Sequence, residues 1–393
     1  MARRRCILLL AASASLWCLC CLVAWPGLTV AASAQTPTVT PAAIAAYRRA
    51  LADYLQAREA FLVVDRAYWR SITQKRAART SKRARGEPIA LDDYVLTQPP
   101  KYTGPPRPVN PEAPQEKPPR AYVPVVADFL AAARQQYNFV PQQPASEIEF
   151  KRAYARVASA AGLSKDQAVR IYGFEASGNG TYDVQAGLEI NPNARAISTA
   201  LGYNQLLTTN TVELMAEAGG AFIQALQSRA ASLSGDARKA LAGKIAVVER
   251  IVAFAKSVPD DWGEHGLLAG TPKGLATHAM NLDVDVGPLL QTQKLLMSVL
   301  FARAKGYNRP LTAAELEMMN LTGDGSGFDM VTMPQEWRDK VPTSNFFQES
   351  GYNENPVAQR NNVVAKLIAA TNAEMDVQIQ KQGAKDLMAA FSR

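Results

Sequence analysis

The stretch "SKDQAVRIYGFEASGNG", residues 164–180, predicts a helix that ends in a turn carrying a glutamate. Ser164 and Gln167 have the spacing of a capping box, which marks the start of a helix. The Ser, Gly and Asn residues after Glu175 favour a turn, so the helix is predicted to end near that residue. The Glu175 carboxylate then meets the negative end of the helix dipole among apolar neighbours. Both effects raise the pKa of a carboxyl group, as a general acid requires.

The rest of the composition leaves few other chemistries. The chain has two histidines, and all four cysteines precede residue 22, so metal sites built on His and Cys are nearly excluded and no metal or cofactor is expected. Neither a phosphate-binding glycine loop nor the elbow of a serine hydrolase is present. Carboxylate chemistry remains, and it suits glycosidic bond cleavage. The local sequence leaves a second interpretation open, in which Glu175 is an exposed helix-end carboxylate with nothing to protonate.

Periodic apolar residues predict a mainly α fold. Five further segments have the three- and four-residue spacing of helices: 146–162, 208–233, 235–258, 286–306 and 357–380. The one segment that resembles a short β-hairpin is "TYDVQAGLEI", residues 181–190, directly after the glutamate turn.

The N-terminus has the pattern of a signal peptide. Three arginines precede a long apolar run, and Ala32-Ser33-Ala34 offers small residues for cleavage. We therefore expect residues 1–34 to be removed on export to the periplasm or the medium. A retained membrane anchor is the alternative, because the apolar run exceeds 20 residues.

Residues 35–98 are predicted to form a basic helical segment. The net charge of +8 is concentrated there, and residues 75–85 hold six basic side chains and no acid. An exported chain is not expected to meet nucleic acid, so we expect an anionic envelope polymer or an envelope protein as the partner of this segment. A solvated basic helix without a partner is the simpler alternative.

Residues 99–144 are predicted to form a proline-rich linker between the basic segment and a domain spanning residues 145–393. Ten prolines fall between Pro99 and Pro124, which excludes helix and sheet. An extended spacer and a strap packed across the domain are both compatible with this composition.

Downstream of Glu175, the segment "ALGYNQLLTTNT", residues 200–211, resembles the soluble lytic transglycosylases of the goose-lysozyme-like superfamily. In that family the catalytic Glu closes a helix, and a Gly-x-x-Gln-Leu segment leads into the next one. Here Glu175 matches the catalytic residue, and Gly202, Gln205 and Leu206 match the segment. Ser177 lies near the serine that normally follows the glutamate directly.

The resemblance implies a lysozyme-like α+β catalytic domain with a small β-hairpin, additional helices and a groove for peptidoglycan glycan strands. It implies that Glu175 protonates the oxygen between N-acetylmuramic acid and N-acetylglucosamine and then accepts the proton of the muramoyl 6-hydroxyl. The product is a 1,6-anhydro sugar. Ser177, Gly202 and Gln205 become candidate substrate-binding residues.

The sequence departs from the family pattern at two places. Ala176 stands where the family has the serine. The late Ala-Tyr-Asn motif has two candidates, Tyr307 in "KGYNRP" and Tyr352 in "SGYNENP", and the latter is favoured because a closing helix follows it.

Two other functions remain open at this stage. One is a non-catalytic scaffold that binds the cell wall. The other is a hydrolytic muramidase or chitinase-like enzyme, which would need a second carboxylate near the groove, with Asp183 and Glu189 as candidates.

Overall fold

The computed structural model describes residues 39–113, 121–188 and 194–392, so the predicted signal peptide lies outside it. The described helices are α1 Pro41–Arg85, α2 Val126–Tyr137, α3 Glu147–Ala160, α4 Lys165–Glu175, α5 Thr208–Ala231, α6 Gly235–Ala255, α7 Trp262–Ala269, α8 Pro272–His278, α9 Gly287–Ala304, α10 Ala313–Thr322, α11 Asp324–Thr332, α12 Gln335–Arg338, α13 Glu349–Asn353, α14 Pro356–Arg360, α15 Val364–Gln378 and α16 Gln382–Ala390. Three short 3-10 helices cover Leu91–Asp93, Ala279–Leu282 and Thr343–Phe346. No helix within the described ranges is both long enough and apolar enough to traverse a bilayer.

The prediction of a mainly α fold is confirmed. In the described part of the chain, β pairing is limited to isolated bridges, such as the one between Gln185 and Leu201. The described portion of the predicted hairpin, residues 181–188, consists of turns around that bridge, and residues 189 and 190 lie outside the described ranges.

The two helices that frame the glutamate turn have the predicted boundaries. The Ser164 hydroxyl accepts a hydrogen bond from the backbone N–H of Gln167 at 3.1 Å, and the Ser164 backbone N–H donates to Gln167 Oε1 at 2.9 Å. The helix α4 ends at Glu175, and α5 begins at Thr208. Residues close to these two positions therefore predicted where α4 ends and where α5 begins.

Helix α1 lies within the predicted basic helical segment of residues 35–98, and its two halves differ in burial. The first buried residue is Asp65, and from there the helix packs on the body through Trp69 and Ile72. These side chains join a cluster that includes Phe346 and Leu367 near the C-terminus of the chain. The second half of α1 is therefore part of the fold rather than a separate segment.

The basic side chains of residues 75–85 all have acceptors within the molecule. Arg79 is fully buried and pairs with Asp329 at 3.0 Å, and Arg83 pairs with the other oxygen of the same carboxylate at 2.5 Å. The other hydrogen bonds run from Lys75 to Asp92, from Arg76 to Phe347, from Lys82 to Asp93 and from Arg85 to Glu87. Much of the predicted basic patch is thus neutralised internally.

The described start of the proline-rich stretch packs on α1 at Tyr102. The Tyr102 ring makes edge contacts with Tyr54 at 6.1 Å and Phe61 at 5.4 Å between centroids, and Arg58 lies over it. Further on, α2 contributes the fully buried Phe129 to a core shared with α5, α6 and α8. The predicted 99–144 linker therefore contains a core helix.

A second apolar core surrounds α4. It joins residues of α3, α9, α10 and α16 to Ile171 and Tyr172 of α4. Helices α10 and α15 both pack directly against α4. This packing fixes the C-terminal end of α4, and with it Glu175, inside the helical body.

Candidate functional site

Glu175 is the last residue of α4, and the turn after it is held against α16. Asn179 accepts a hydrogen bond from the backbone of Gly383 at 3.0 Å, and the Tyr172 hydroxyl donates to the carbonyl of Gly180 at 2.7 Å. Ala176 is 1% exposed and belongs to the core around α4. A side chain at position 176 faces the core, so a serine there would not reach a substrate.

The Glu175 carboxylate is largely buried and hydrogen-bonded. Asn320 of α10 donates to its Oε1 at 2.8 Å. Burial raises the pKa of Glu175, while hydrogen bonds from Glu317 and Asn320 and the charge of Lys294 partly oppose that increase. The direction agrees with the sequence expectation, although the largest cause is burial in the core rather than the helix end.

A second carboxyl group, Glu317 of α10, lies beside Glu175: the Asn320 amide nitrogen is 2.8 Å from Glu175 Oε1 and 3.5 Å from Glu317 Oε2. Glu317 is 0% exposed, and its Oε1 has no hydrogen-bond donor. Burial and the neighbouring Glu175 charge raise the pKa of Glu317 well above its usual range. Two carboxyl groups can form a hydrogen bond only when one of them is protonated. Burial and the neighbouring charge both disfavour two ionised groups here, so the pair favours keeping at least one proton.

Asn320, which donates to Glu175, lines a cavity of about 500 Å³, whereas Glu175 and Glu317 are not among its lining residues. The polar residues that line the cavity are Asn210, Glu213, Glu217, Lys294, Ser298, Asn320 and Asp324. The apolar lining includes Leu214, Met297, Met319 and Trp262, and Trp262 is 50% exposed. A cavity of this volume with an exposed indole can hold small polar ligands that also present an apolar face.

The cavity has more acidic than basic groups. Burial and repulsion from Glu217 raise the pKa of Glu213 to about 7. Burial also raises the pKa of Asp324, which accepts a hydrogen bond from Ser298 at 2.5 Å. Lys294 lowers the pKa of both carboxyl groups and that of Glu175. Its positive charge therefore acts both on the carboxyl groups of the cavity wall and on Glu175.

The Gly-x-x-Gln-Leu segment forms a tight turn against α9. Gly202 has φ +80°, and a Cβ there would lie 2.5 Å from Gln291 Nε2, so glycine is required. Gln205 donates back to the carbonyls of Gly202 at 2.7 Å and Val184 at 3.2 Å. Both predicted substrate-binding residues build the turn itself. Two residues later Leu207 reaches the cavity wall.

The other predicted site residues lie elsewhere. Tyr307 lines a different cavity together with Ser164, at the opposite end of α4 from Glu175. Tyr352 is 5% exposed and packs against Trp69 of α1. Ser177, with φ +53°, belongs to the turn after α4. The structure thus does not bring either tyrosine to the cavity beside Asn320.

The two candidates for a second hydrolytic carboxylate are also not found there. Asp183 lines a separate cavity with Gln185, and its carboxylate accepts a hydrogen bond from Thr181 at 2.6 Å. Glu189 lies outside the described residues.

Sequence reasoning missed Glu317, although a signal was present. The sequence of α10, "AAELEMMNLT", places Glu317 between Leu316 and Met318, and residues 313–319 are all buried. A helix that is apolar on every side belongs in a core, and a carboxylate in such a helix needs a partner. Glu315, two residues earlier, forms a salt bridge with Arg309. The neighbour of Glu317 is instead another carboxyl group, that of Glu175.

Comparisons with protein-family models, with curated proteins and with solved structures found no match. The function of this site must therefore be argued from its own geometry and from the motif in the sequence.

Proposed function

We propose that the protein is a lytic transglycosylase that cleaves peptidoglycan glycan strands, with Glu175 as the acid and the base. Its catalytic unit would be a lysozyme-like α+β domain acting outside the cytoplasm. The observation that carries the proposal is the environment of Glu175, a helix-end carboxyl with a raised pKa, hydrogen-bonded to a residue of a sugar-sized cavity.

The chemistry needs one group that first gives and then takes a proton. Protonated Glu175 donates to the oxygen between N-acetylmuramic acid and N-acetylglucosamine, and the bond from that oxygen to the anomeric carbon breaks. The Glu175 carboxylate then accepts the proton of the muramoyl 6-hydroxyl, whose oxygen closes on the anomeric carbon. Proton transfers balance, and no water enters the product.

The position of Glu317 favours this reaction over hydrolysis. Hydrolytic glycosidases hold their two carboxyl groups roughly 5 Å apart or more, so that a water or the sugar fits between them. Glu317 and Glu175 both lie within 3.5 Å of the same amide nitrogen of Asn320, which leaves no room for a sugar between them. Glu317 therefore does not serve as a separate nucleophile or base. A reaction that uses the same carboxyl group first as the acid and then as the base needs no second catalytic carboxylate.

The exposed Trp262 gives the cavity a surface for sugar binding. Its indole is half-exposed beside the polar residues of the cavity. An aromatic face packs well on the apolar face of a sugar ring, while Asn210 and Asn320 offer amide groups to hydroxyl or acetamido substituents.

Product analysis tests the proposal. Mature protein is incubated with purified sacculi, and the released fragments are identified by mass spectrometry. We expect 1,6-anhydromuropeptides from the wild type and none above background from Glu175→Gln. Glu349→Gln is the matched control, because Glu349 is an exposed glutamate in a Glu-Ser pair, and it should release products like the wild type.

Other outcomes would replace the proposal. Fragments with free reducing ends would show hydrolysis. Binding to sacculi without any release would indicate a non-catalytic scaffold. Equal release by Glu175→Gln and the wild type would remove Glu175 from the reaction.

A further inference from the structure

We propose that Glu317 is a positioning residue that stays protonated throughout the reaction and donates a hydrogen bond to the Glu175 carboxylate between its two proton transfers. This inference rests on the proposed function for its role in turnover. Its physical basis, a neutral buried carboxyl beside Glu175, is independent of any substrate.

The geometry around Glu317 supports a permanent proton. Its side chain is fully buried, and its Oε1 receives no hydrogen bond. The nearest amide donor, Asn320 Nδ2, is 3.5 Å from Glu317 Oε2 but 2.8 Å from Glu175 Oε1. The Asn320 amide therefore hydrogen-bonds mainly to Glu175. An ionised Glu317 would have almost no hydrogen-bond donor to stabilise its charge. A protonated Glu317 instead satisfies itself by donating to Glu175.

The charged groups around the pair agree with this assignment. Those that act on Glu317 in the described structure are Glu175 from α4 and Lys294 from α9. Lys294 is shared with Glu213 and Asp324, and it makes no salt bridge with Glu317. Ionising Glu317 beside an ionised Glu175 would put two adjacent negative charges in a buried site, which is strongly unfavourable.

The consequence for the reaction is a pair that alternates between two protons and one. Glu175 loses its proton to the glycosidic oxygen, and the new carboxylate is stabilised by the hydroxyl of Glu317 and the amide of Asn320. It then regains a proton from the 6-hydroxyl. Glu317 keeps its own proton, so the carboxylate stays oriented without being neutralised.

Two substitutions separate this role from simple packing. Glu317→Gln keeps a donor of the same shape, whereas Glu317→Met fills the space without a donor. Because a donor to a carboxylate lowers its pKa, Glu317→Met should raise the titration midpoint of Glu175 by about one pH unit. Glu317→Gln should shift it much less. Both variants should fold, since each replaces a neutral buried group.

The measurement is a pH titration of the glutamate side-chain carbons by 13C NMR, with Glu175→Gln and Glu317→Gln used for assignment. We expect Glu317 to remain in the acid form over the whole range in which Glu175 titrates. An ionised Glu317 in that range, or an equal Glu175 midpoint in Glu317→Met and wild type, would overturn the inference.

Activity gives a second readout on sacculi. Glu317→Met should lower turnover by roughly 10²-fold and move the alkaline limb of the pH profile to higher pH, and Glu317→Gln should restore most of the rate. If no variant or wild type releases products while the NMR result holds, the proposed function fails and the neutral Glu317 stands.

Discussion

Two carboxylate sites in the interior of this protein, Asp329 and Glu175, have opposite surroundings. Asp329 is enclosed by the guanidinium groups of Arg79 and Arg83, so its charge is matched by two cations in contact. Glu175 is enclosed by a second carboxyl group and an amide, and Lys294 acts on it only through its charge.

The comparison shows that the groups around an interior acid, together with its burial, decide what that acid can do. Around Asp329, every group of Arg79 is used, because the guanidinium also donates to the carbonyls of Asp93 at 3.0 Å and Asn345 at 2.9 Å. That site joins α1 to the body. The Glu175 site retains protons, and it lies beside a cavity that can hold a ligand.

The largest expected effect is on turnover at Glu175. Glu175→Gln removes the exchangeable proton and should lower product release from sacculi by about 10²–10⁴-fold. Its free energy of unfolding should change little, because an amide can still pair with Asn320 and Glu317. Unfolding of this variant at room temperature would show that Glu175, like Asp329, is needed mainly for stability.

The next effect is on stability at the arginine site. Arg79→Met leaves the buried Asp329 with one cation and should cost about 3–5 kcal/mol in urea denaturation. Arg85→Met is the control, since the Arg85–Glu87 pair is exposed, and we expect no measurable change in the urea midpoint there. Glu317→Met should also stay within about 1 kcal/mol of the wild type. A loss at Glu317 as large as the loss at Arg79 would mean that both sites are structural.

A smaller effect is expected when the cavity loses its lysine. Lys294→Met removes a charge that lowers the pKa of Glu213, so the Glu213 midpoint should rise above its value of about 7. The shift should be under about one pH unit, because the side chain is partly solvated. An NMR titration of Glu213 measures it, with Lys239→Met in the exposed part of α6 as the control. A midpoint that falls would contradict the role given to Lys294.

The last effect concerns the pH dependence of stability. The pKa of Glu213 is about 7 in the folded protein and 4.5 as the reference, so the folded state binds more protons between those values. Its contribution should therefore lower stability as pH rises from about 4.5 to 7 and level off above. Glu213→Gln should reduce the difference in urea midpoint between pH 5 and pH 8 relative to the wild type. Glu249→Gln, on exposed α6 surface, should not.

The sequence predicted those features that depend on near neighbours. The cap at Ser164, the end of α4 at Glu175 and the start of α5 at Thr208 all follow from residues within one helical turn. The charge and packing of distant segments were not predictable in the same way. Arg79 and Asp329 are 250 residues apart, and Glu175 and Asn320 are 145 apart.

The same reason explains where the site expectations and the structure diverge. Gly202 and Gln205 match the family motif, but they contact Gln291 and Val184 and so stabilise the turn rather than face the cavity. Tyr352 was favoured for the helix that follows it, yet its ring packs on α1, which the sequence analysis assigned to another domain. The apolar sequence of α10 marks Glu317 as an acid that needs a partner, but only the packing of α10 on α4 shows that Glu175 is its neighbour.

The most direct test of the central claim counts protonated carboxyl groups at pH 8, where Glu213 is mostly ionised. Infrared spectra of the wild type should contain a carboxylic-acid band that is retained in Asp329→Asn and lost in Glu317→Gln. A spectrum without that band, or a band that Glu317→Gln leaves unchanged, would contradict the account.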